Sequence, residues 1–282
     1  MAVPSSKRLY AIINLGLYAA SDEMDHFGTG LQRRTARAWT AALGGPKSSA
    51  MTEPHPLDRP VWNTLASRQA SLAIGDARAR RFPAEFGPFA AAADGSPECR
   101  AALAALIPAH GGLAIVETEP WAPPPGARAA QQIDLHQMIA TAALTVGEAS
   151  FEIIPLGEAD APEMRALAAL TQPGPFSTRT HELGDFFGIR QDGQLAAMAG
   201  ERMQPEGFCE VSAVCTHPDH RGRGYGAALT RFVAGRILAR GEVPFLHVMA
   251  ANTGAIGLYE TLGFVLRRTL ALTVLAPDRV AT

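Results

Sequence analysis

The chain has 282 residues, enough for two modest domains, and 47% of them are hydrophobic, so sizeable cores can be buried. A formal net charge of −2 argues against a nucleic-acid binder, which usually presents a basic face. No apolar run approaches the ~18–20 residues needed to span a bilayer, so no membrane partner is expected.

Cys99, Cys209 and Cys215 are unevenly spaced and form no C-x-x-C pair, which fits reduced thiols in a cytoplasmic protein better than a disulfide framework. Residues 1–50 read as an unstructured or mis-started extension, with Met51 as the alternative start. Within them, Lys7–Ser21 has the basic and apolar parts of a signal peptide but no small-residue cleavage site. Residues 51–147 read as an accessory α/β domain. Asp58 and Pro60 open a helix with Trp62, Leu65, Ala66, Leu72 and Ala73 near helical spacing. Residues 82–89 are too rich in proline and aromatics for regular structure, and Ser96-Pro97 opens a second helix. Gly111–Thr118 reads as a buried strand, Pro120–Arg128 as a stiff loop and 131–140 as a further strand.

Residues 148–276 carry a different pattern, followed by a tail at 277–282. A strand over 151–156 leads to a helix with Asp160 as N-cap and Pro162 in its first turn. A loop over 173–186 follows, and Asp192-Gly193 is a two-residue hairpin turn between strands. Another strand spans 207–217. A helix from Gly224 to Arg240, a strand over 244–250, a short helix over 253–262 and a strand over 264–275 complete the order. Strands and helices alternating around an antiparallel meander predict an α/β fold built on a mixed sheet.

Between the strand at 207–217 and the next helix lie Arg221, Gly222, Arg223, Gly224, Tyr225 and Gly226. A helix N-terminus carries unpaired N–H groups and a partial positive charge, which suits a phosphate. Glycines clear side chains from its approach and permit the tight turn, and Arg221 and Arg223 add fixed charge. A P-loop is excluded because lysine occurs only at Lys7 and Lys47. Gly222, Gly224 and Ala227 also satisfy the dinucleotide pattern G-x-G-x-x-A. Too little chain follows for the fold that pattern needs, and the next strand ends without an acidic residue.

Arg221–Gly226 is R-x-x-G-x-G, and Asn252, Ala255, Tyr259 and Leu262-Gly263-Phe264 follow at the spacing N-x-x-A-x-x-x-Y-x-x-x-G-F. Together these resemble the acetyl-CoA pyrophosphate loop and the following helix of the GNAT N-acetyltransferase superfamily, and within it the FR47-like group. The resemblance covers about residues 148–276. It implies the GNAT acyl-CoA N-acyltransferase fold, with the N-terminal α/β domain as an addition. It implies acetyl-CoA as co-substrate, no metal, and direct transfer of acetyl to a small-molecule or peptide amine by a monomer or homodimer.

By the same resemblance, the N–H groups of Arg223, Gly224, Tyr225, Gly226 and Ala227 hold the pyrophosphate with Arg221 and Gly222 beside them, and Asn252 contributes to the cofactor site. The pantetheine arm runs along Val214, Cys215 and Thr216, and an N–H of Val214 or Cys215 polarises the thioester carbonyl. Tyr259 is the candidate acid for the departing thiolate. Glu210 is the candidate base, placed by period-2 alternation on one face with Ser212 and Val214, and Glu201 is its reserve. A lysine-like amine of pKa ~10.4 is about three units from neutral at pH 7.4, a penalty of roughly 4 kcal/mol, whereas an α-amino group at ~7.7–8 scarcely needs a base.

Other chemistries fit less well. Cys215, His217 and His220 have metal-ligand character but stand on the approach to the loop, where solvated residues are expected. Arg179, Thr180 and Glu182 lie in the loop that the resemblance places near the acceptor, either to recognise substrate or to order the loop. The rival from another class is a non-catalytic acyl-CoA sensor on the same scaffold.

Overall fold

In a computed structural model, residues 55–140 and 151–278 are described. The expectations for residues 1–50 and the expected boundary at 147/148 lie outside them.

Eleven strands form two sheets among the described residues. The small one is antiparallel, β1 (Ile74–Gly75), β2 (Ala79–Arg81) and β3 (Ala90–Ala92). The large one has eight strands: β4 (Leu113–Glu117), β5 (Ala127–Ala140), β6 (Ile154–Leu156), β7 (Phe186–Gln191), β8 (Gln194–Glu201), β9 (Phe208–Thr216), β10 (Val243–Met249) and β11 (Phe264–Pro277). Their order is β4-β11-β5-β10-β9-β8-β7-β6. Every recorded pairing of this sheet is antiparallel except β9 with β10. This is the mixed sheet that the sequence predicts.

The helices are α1 (Pro60–Ala66), α2 (Pro97–Ala105), α3 (Ala161–Thr171), α4 (Tyr225–Ala239) and α5 (Thr253–Thr261). Ser96 accepts a hydrogen bond from the Cys99 N–H and starts α2 as predicted. α1 stops at Ala66, well short of the predicted Ala73, and a 3-10 turn at Ala70–Leu72 takes up the remaining apolar positions. The stiff loop predicted over 120–128 ends early, since β5 already begins at Ala127. Asp160 precedes α3, but its side chain accepts from the Gly157 N–H instead of capping that helix.

The strand alternation divides the core. Leu229, Val233 and Ile237 of α4, each fully buried, pack with Cys209 and Val211 of β9 and Leu246 and Val248 of β10. Burying each such side chain is worth about 1.5–3 kcal/mol. Met164 and Leu167 of α3 pack with Phe186, Met198, Ala213 and Cys215 on the other face. A third core joins Leu57, Val61, Leu65 and Phe82 to Leu135, Phe245 and Leu270. β5 lies between β10 and β11 and pairs with β11 from Phe264 to Pro277. The two expected units therefore share one sheet, and the described residues from Pro56 onward fall within one compact unit.

Candidate active site

The site is built where β9 and β10 part. Their parallel pairing is recorded only at Val243↔Phe208, Pro244↔Cys209 and Phe245↔Glu210. Beyond it β9 follows β8 as far as Thr216↔Ala197, and β10 follows β5 as far as Met249↔Leu135. Each strand keeps its outer neighbour and loses its inner one. The two facing edges therefore open into a V that an extended ligand can enter as an added strand would.

β9 is not regular there. Ser212 pairs with Gly200 and Cys215 with Met198, so Ala213 and Val214 together oppose Ala199. Ala213 has φ +53°, a left-handed conformation rare for a residue with a Cβ. This is a β-bulge, which re-aims the backbone and breaks the alternation. Cys209 and Val211 face the α4 core before it and Val214 does so after it. The expectation that Glu210, Ser212 and Val214 share a face is therefore corrected: the extra residue turns Val214 to the opposite side.

The glycine loop leads from the tip of β9 into α4. A 3-10 turn at Pro218–His220 is capped by His217, whose Nδ1 accepts from the Asp219 N–H at 3.3 Å. Gly222 and Gly224 have φ +75° and +82°, so the turn itself requires glycine at both. Gly224 is the N-cap of α4 and offers no side chain, leaving the N–H groups of Tyr225, Gly226 and Ala227 uncapped by any side chain. The Tyr225 ring is buried edge-on against Phe151 at 4.8 Å, so only its backbone is available to a ligand. Arg221 and Arg223 are exposed and make no ion pair among the described residues.

Gly226 differs from the other two. Its φ is not positive, and a Cβ there would meet only Thr216 Oγ1 at 3.7 Å and Val214 Cγ1 at 3.8 Å, ordinary contacts. Those distances bring the first turn of α4 against the end of β9. Neither conformation nor packing asks for glycine in a helix position where it costs roughly 1 kcal/mol relative to alanine.

Glu210 is fully buried. Arg202 donates to it twice, from Nε to Oε2 and from Nη2 to Oε1, both at 2.8 Å. His247 on β10 donates from Nδ1 to Oε1 at 2.7 Å, and the Met203 N–H donates to Oε2 at 3.3 Å. Burial alone would raise this carboxyl, but the Arg202 charge and the hydrogen bonds from Arg202 and His247 outweigh it and hold it well below the usual carboxylate range. A carboxylate held low with both oxygens engaged takes up a proton poorly, which counts against Glu210 as the base. The reserve fares no better: buried Glu201 accepts from Arg240 Nη1 at 2.9 Å.

The chain of contacts continues through His247. Gln137 Nε2 donates to the Leu57 carbonyl at 2.8 Å and lies 3.1 Å from His247 Nε2, which is thus the acceptor. Arg267 donates to Gln137 Oε1 at 2.9 Å and to Asp58 Oδ1 at 2.6 Å. Sequence reasoning missed Arg202, Gln137 and His247. The available signal was a lone histidine in the apolar run 244–250, since a buried polar group must find partners.

Tyr259 on α5 is half-buried, its ring edge-on to Phe264 at 6.1 Å. Its hydroxyl makes no hydrogen bond among the described residues, and burial, with a smaller contribution from Cys215, pushes its pKa up to about 12. Burial likewise takes the Cys215 thiol up to about 12. Asn252 is the N-cap of α5, its Oδ1 accepting from the Ala255 N–H at 3.1 Å. Arg179 pairs with Glu182 through two 2.6 Å bonds and stacks over Phe86, and Thr180 donates to the Phe86 carbonyl at 2.9 Å. These side chains order the loop against residues 82–89.

A mixed sheet splayed beside an uncapped helix N-terminus can receive an extended, anionic ligand, and comparisons with known proteins narrow the class. The model of the FR47-like protein family matches residues 186–272. A crystal structure of an acetyltransferase assigned to the GNAT family, from Novosphingobium aromaticivorans, is 48% identical with a TM-score of 0.76, covering 80% of this chain and 100% of that one. The [ribosomal protein bS18]-alanine N-acetyltransferase of Escherichia coli is 31% identical over 103 residues, 36% of this chain and 69% of that protein. Mycothiol acetyltransferase of Thermobispora bispora is 45% identical over 56 residues, which span 20% of this chain and only 19% of that protein. The chain belongs to the GNAT superfamily of acetyltransferases, in its FR47-like group. Among the described residues, no helix is long and apolar enough to cross a membrane.

Proposed function

We propose that this chain transfers an acetyl group from acetyl-CoA to a primary amine, directly and without a covalent enzyme intermediate. The observation that carries the reading is Gly226. A glycine with no conformational or packing need, set between an uncapped helix N-terminus and the end of a splayed strand, is accounted for by a ligand that comes close to the backbone.

In this reading the N–H groups of Arg223–Ala227 hold the pyrophosphate, and Arg221 and Arg223 neutralise its charge. The pantetheine arm lies along the open edge of β9 at Val214, Cys215 and Thr216. The bulge at Ala213 sets the direction of the next N–H groups, of which Val214 or Cys215 polarises the thioester carbonyl. Tyr259 supplies the proton for the departing sulfur. Its high pKa alone makes that transfer uphill, but a thiolate forming in the same buried setting is raised too, which brings donor and acceptor closer. The Escherichia coli relative, named for an alanine acceptor in a ribosomal protein, supports an amine as the group acetylated.

The test is thiol release from acetyl-CoA in the presence of primary amines, with the acetylated amine identified by mass. Amine-dependent release that weakens in Gly226→Ala, through a higher KM for acetyl-CoA, supports the reading; release independent of any amine overturns it.

A further inference from the structure

The walls of the V carry few titratable groups, each with a buried side chain. β9 contributes Cys209, Glu210 and Cys215, and β10 contributes His247. Burial pushes both thiols up, so neither is a thiolate at neutral pH. Both Glu210 oxygens are taken by Arg202, His247 and the Met203 N–H. His247 gives its Nδ1 proton to Glu210 and turns Nε2 towards Gln137 on β5, the strand on the far side of β10 from β9. Its side chain is 5% exposed. On β8, Glu201 is held by Arg240. None of these side chains directs a basic lone pair at a molecule entering between β9 and β10.

We propose that the acceptor is an amine of low basicity, an α-amino group at the end of a peptide or on an amino-acid derivative, which reaches the thioester already neutral. This rests on the acetyl-transfer reading above and names its substrate class.

The atom balance favours it. The lone pair of a neutral amine forms the C–N bond to the acetyl carbon, and the C–S bond breaks with its electron pair on sulfur. One N–H proton must leave nitrogen and one must reach sulfur. Tyr259 links these needs by donating its hydroxyl proton to sulfur and taking up the amine's. No proton is left over, so no separate base is required. An ammonium brings one proton more, and the side chains of β9 and β10 described above offer no free lone pair to receive it. At pH 7.4 roughly 0.3 of an α-amino group of pKa ~7.8 is neutral, against about 0.001 of a lysine ε-amine of pKa ~10.4, a ratio of about 300.

The experiment compares two sets of probes with the full chain and acetyl-CoA, after calorimetry has shown acetyl-CoA to bind. One is a panel of neutral amino-acid amides, which carry only an α-amine; the other is Nα-acetyl-lysine amide, which carries only an ε-amine. We expect kcat/KM at pH 7.4 to be higher for the best α-amine, by less than the ~300-fold ratio of neutral fractions because the more basic ε-amine is also the stronger nucleophile once neutral. For that probe it should rise tenfold per pH unit and level off at the amine's own pKa, whereas the lysine probe should still be rising at pH 9. One inflection at the same pH for both sets, independent of the amine's own pKa, would reveal a base on the protein and overturn the proposal. Turnover of neither set with acetyl-CoA bound would overturn the substrate class and leave the acetyl-CoA site standing. Absence of acetyl-CoA binding would instead overturn the acetyl-transfer reading itself.

Discussion

Arg202 and Glu210 form a two-point ion pair at the apex of the V, with both N–O distances 2.8 Å and only 11% and 1% of the two side chains exposed. Pairs so deeply buried are defined by what happens when one member is lost. Arg202→Leu leaves Glu210 as an unpaired buried anion and should cost about 3–5 kcal/mol in urea unfolding, while Arg202→Leu with Glu210→Leu should recover much of it. A double variant no more stable than the single one would mean that the carboxylate is held by His247 alone.

The same pair makes stability depend on acid. In the unfolded chain a glutamate titrates near ~4.3, whereas the folded protein holds Glu210 lower, so the unfolded state takes up the proton first as pH falls. Its contribution is present above about pH 5 and is lost as pH drops through the folded value. Unfolding free energies measured from pH 7 to 3 should fall more steeply for the wild type than for Glu210→Gln. Equal slopes would show that Glu210 is not depressed.

Two glycine variants separate folding from binding. Gly224→Ala forces a Cβ into φ +82° and should lose about 1–2 kcal/mol of stability. Gly226→Ala meets no clash and should gain up to ~1 kcal/mol by helix propensity, yet weaken acetyl-CoA binding at least tenfold in calorimetry. Unchanged affinity in Gly226→Ala would remove the first turn of α4 from the site.

Tyr259→Phe should lower kcat by roughly 10²-fold or more while the Kd for acetyl-CoA and the Tm stay close to wild type, because the hydroxyl has no hydrogen-bond partner in the fold. With its pKa near 12, the proton stays on Tyr259 throughout an assay from pH 6 to 10. A fully active phenylalanine variant, or a protein that binds acetyl-CoA without turnover, would favour a sensor over an enzyme.

Much of this was legible locally. Asp192 and Gly193 make the two-residue turn their sequence predicts, with φ of +50° and +78°, because turn chemistry acts over adjacent residues. The run from Arg221 to Gly224 forms the loop before α4, and Tyr225 and Gly226 open that helix, for the same reason. The bulge was not legible, since an alanine forced into the left-handed region by strand pairing leaves no mark on its neighbours. Nor were the partners of Glu210. Arg202 is eight positions away and His247 is 37, and whether a strand glutamate is free or bound is a tertiary fact.

The insertion of β5 between β10 and β11 was hidden likewise, because period-2 alternation gives a strand its faces but not its neighbours. It carries a prediction: residues 148–282 alone leave β10 and β11 without their shared partner and should not fold. A cooperative thermal transition by circular dichroism for that fragment would contradict the shared sheet.

Binding of acetyl-CoA by the loop before α4 and the open edge of β9 would show in thermal shift of the full chain with acetyl-CoA, CoA and NAD. Ligand at ~100 times its Kd adds about 2.7 kcal/mol, enough to raise Tm by several degrees. That rise is expected with both CoA species and not with NAD. No rise with either CoA species, or a rise with NAD alone, would contradict it.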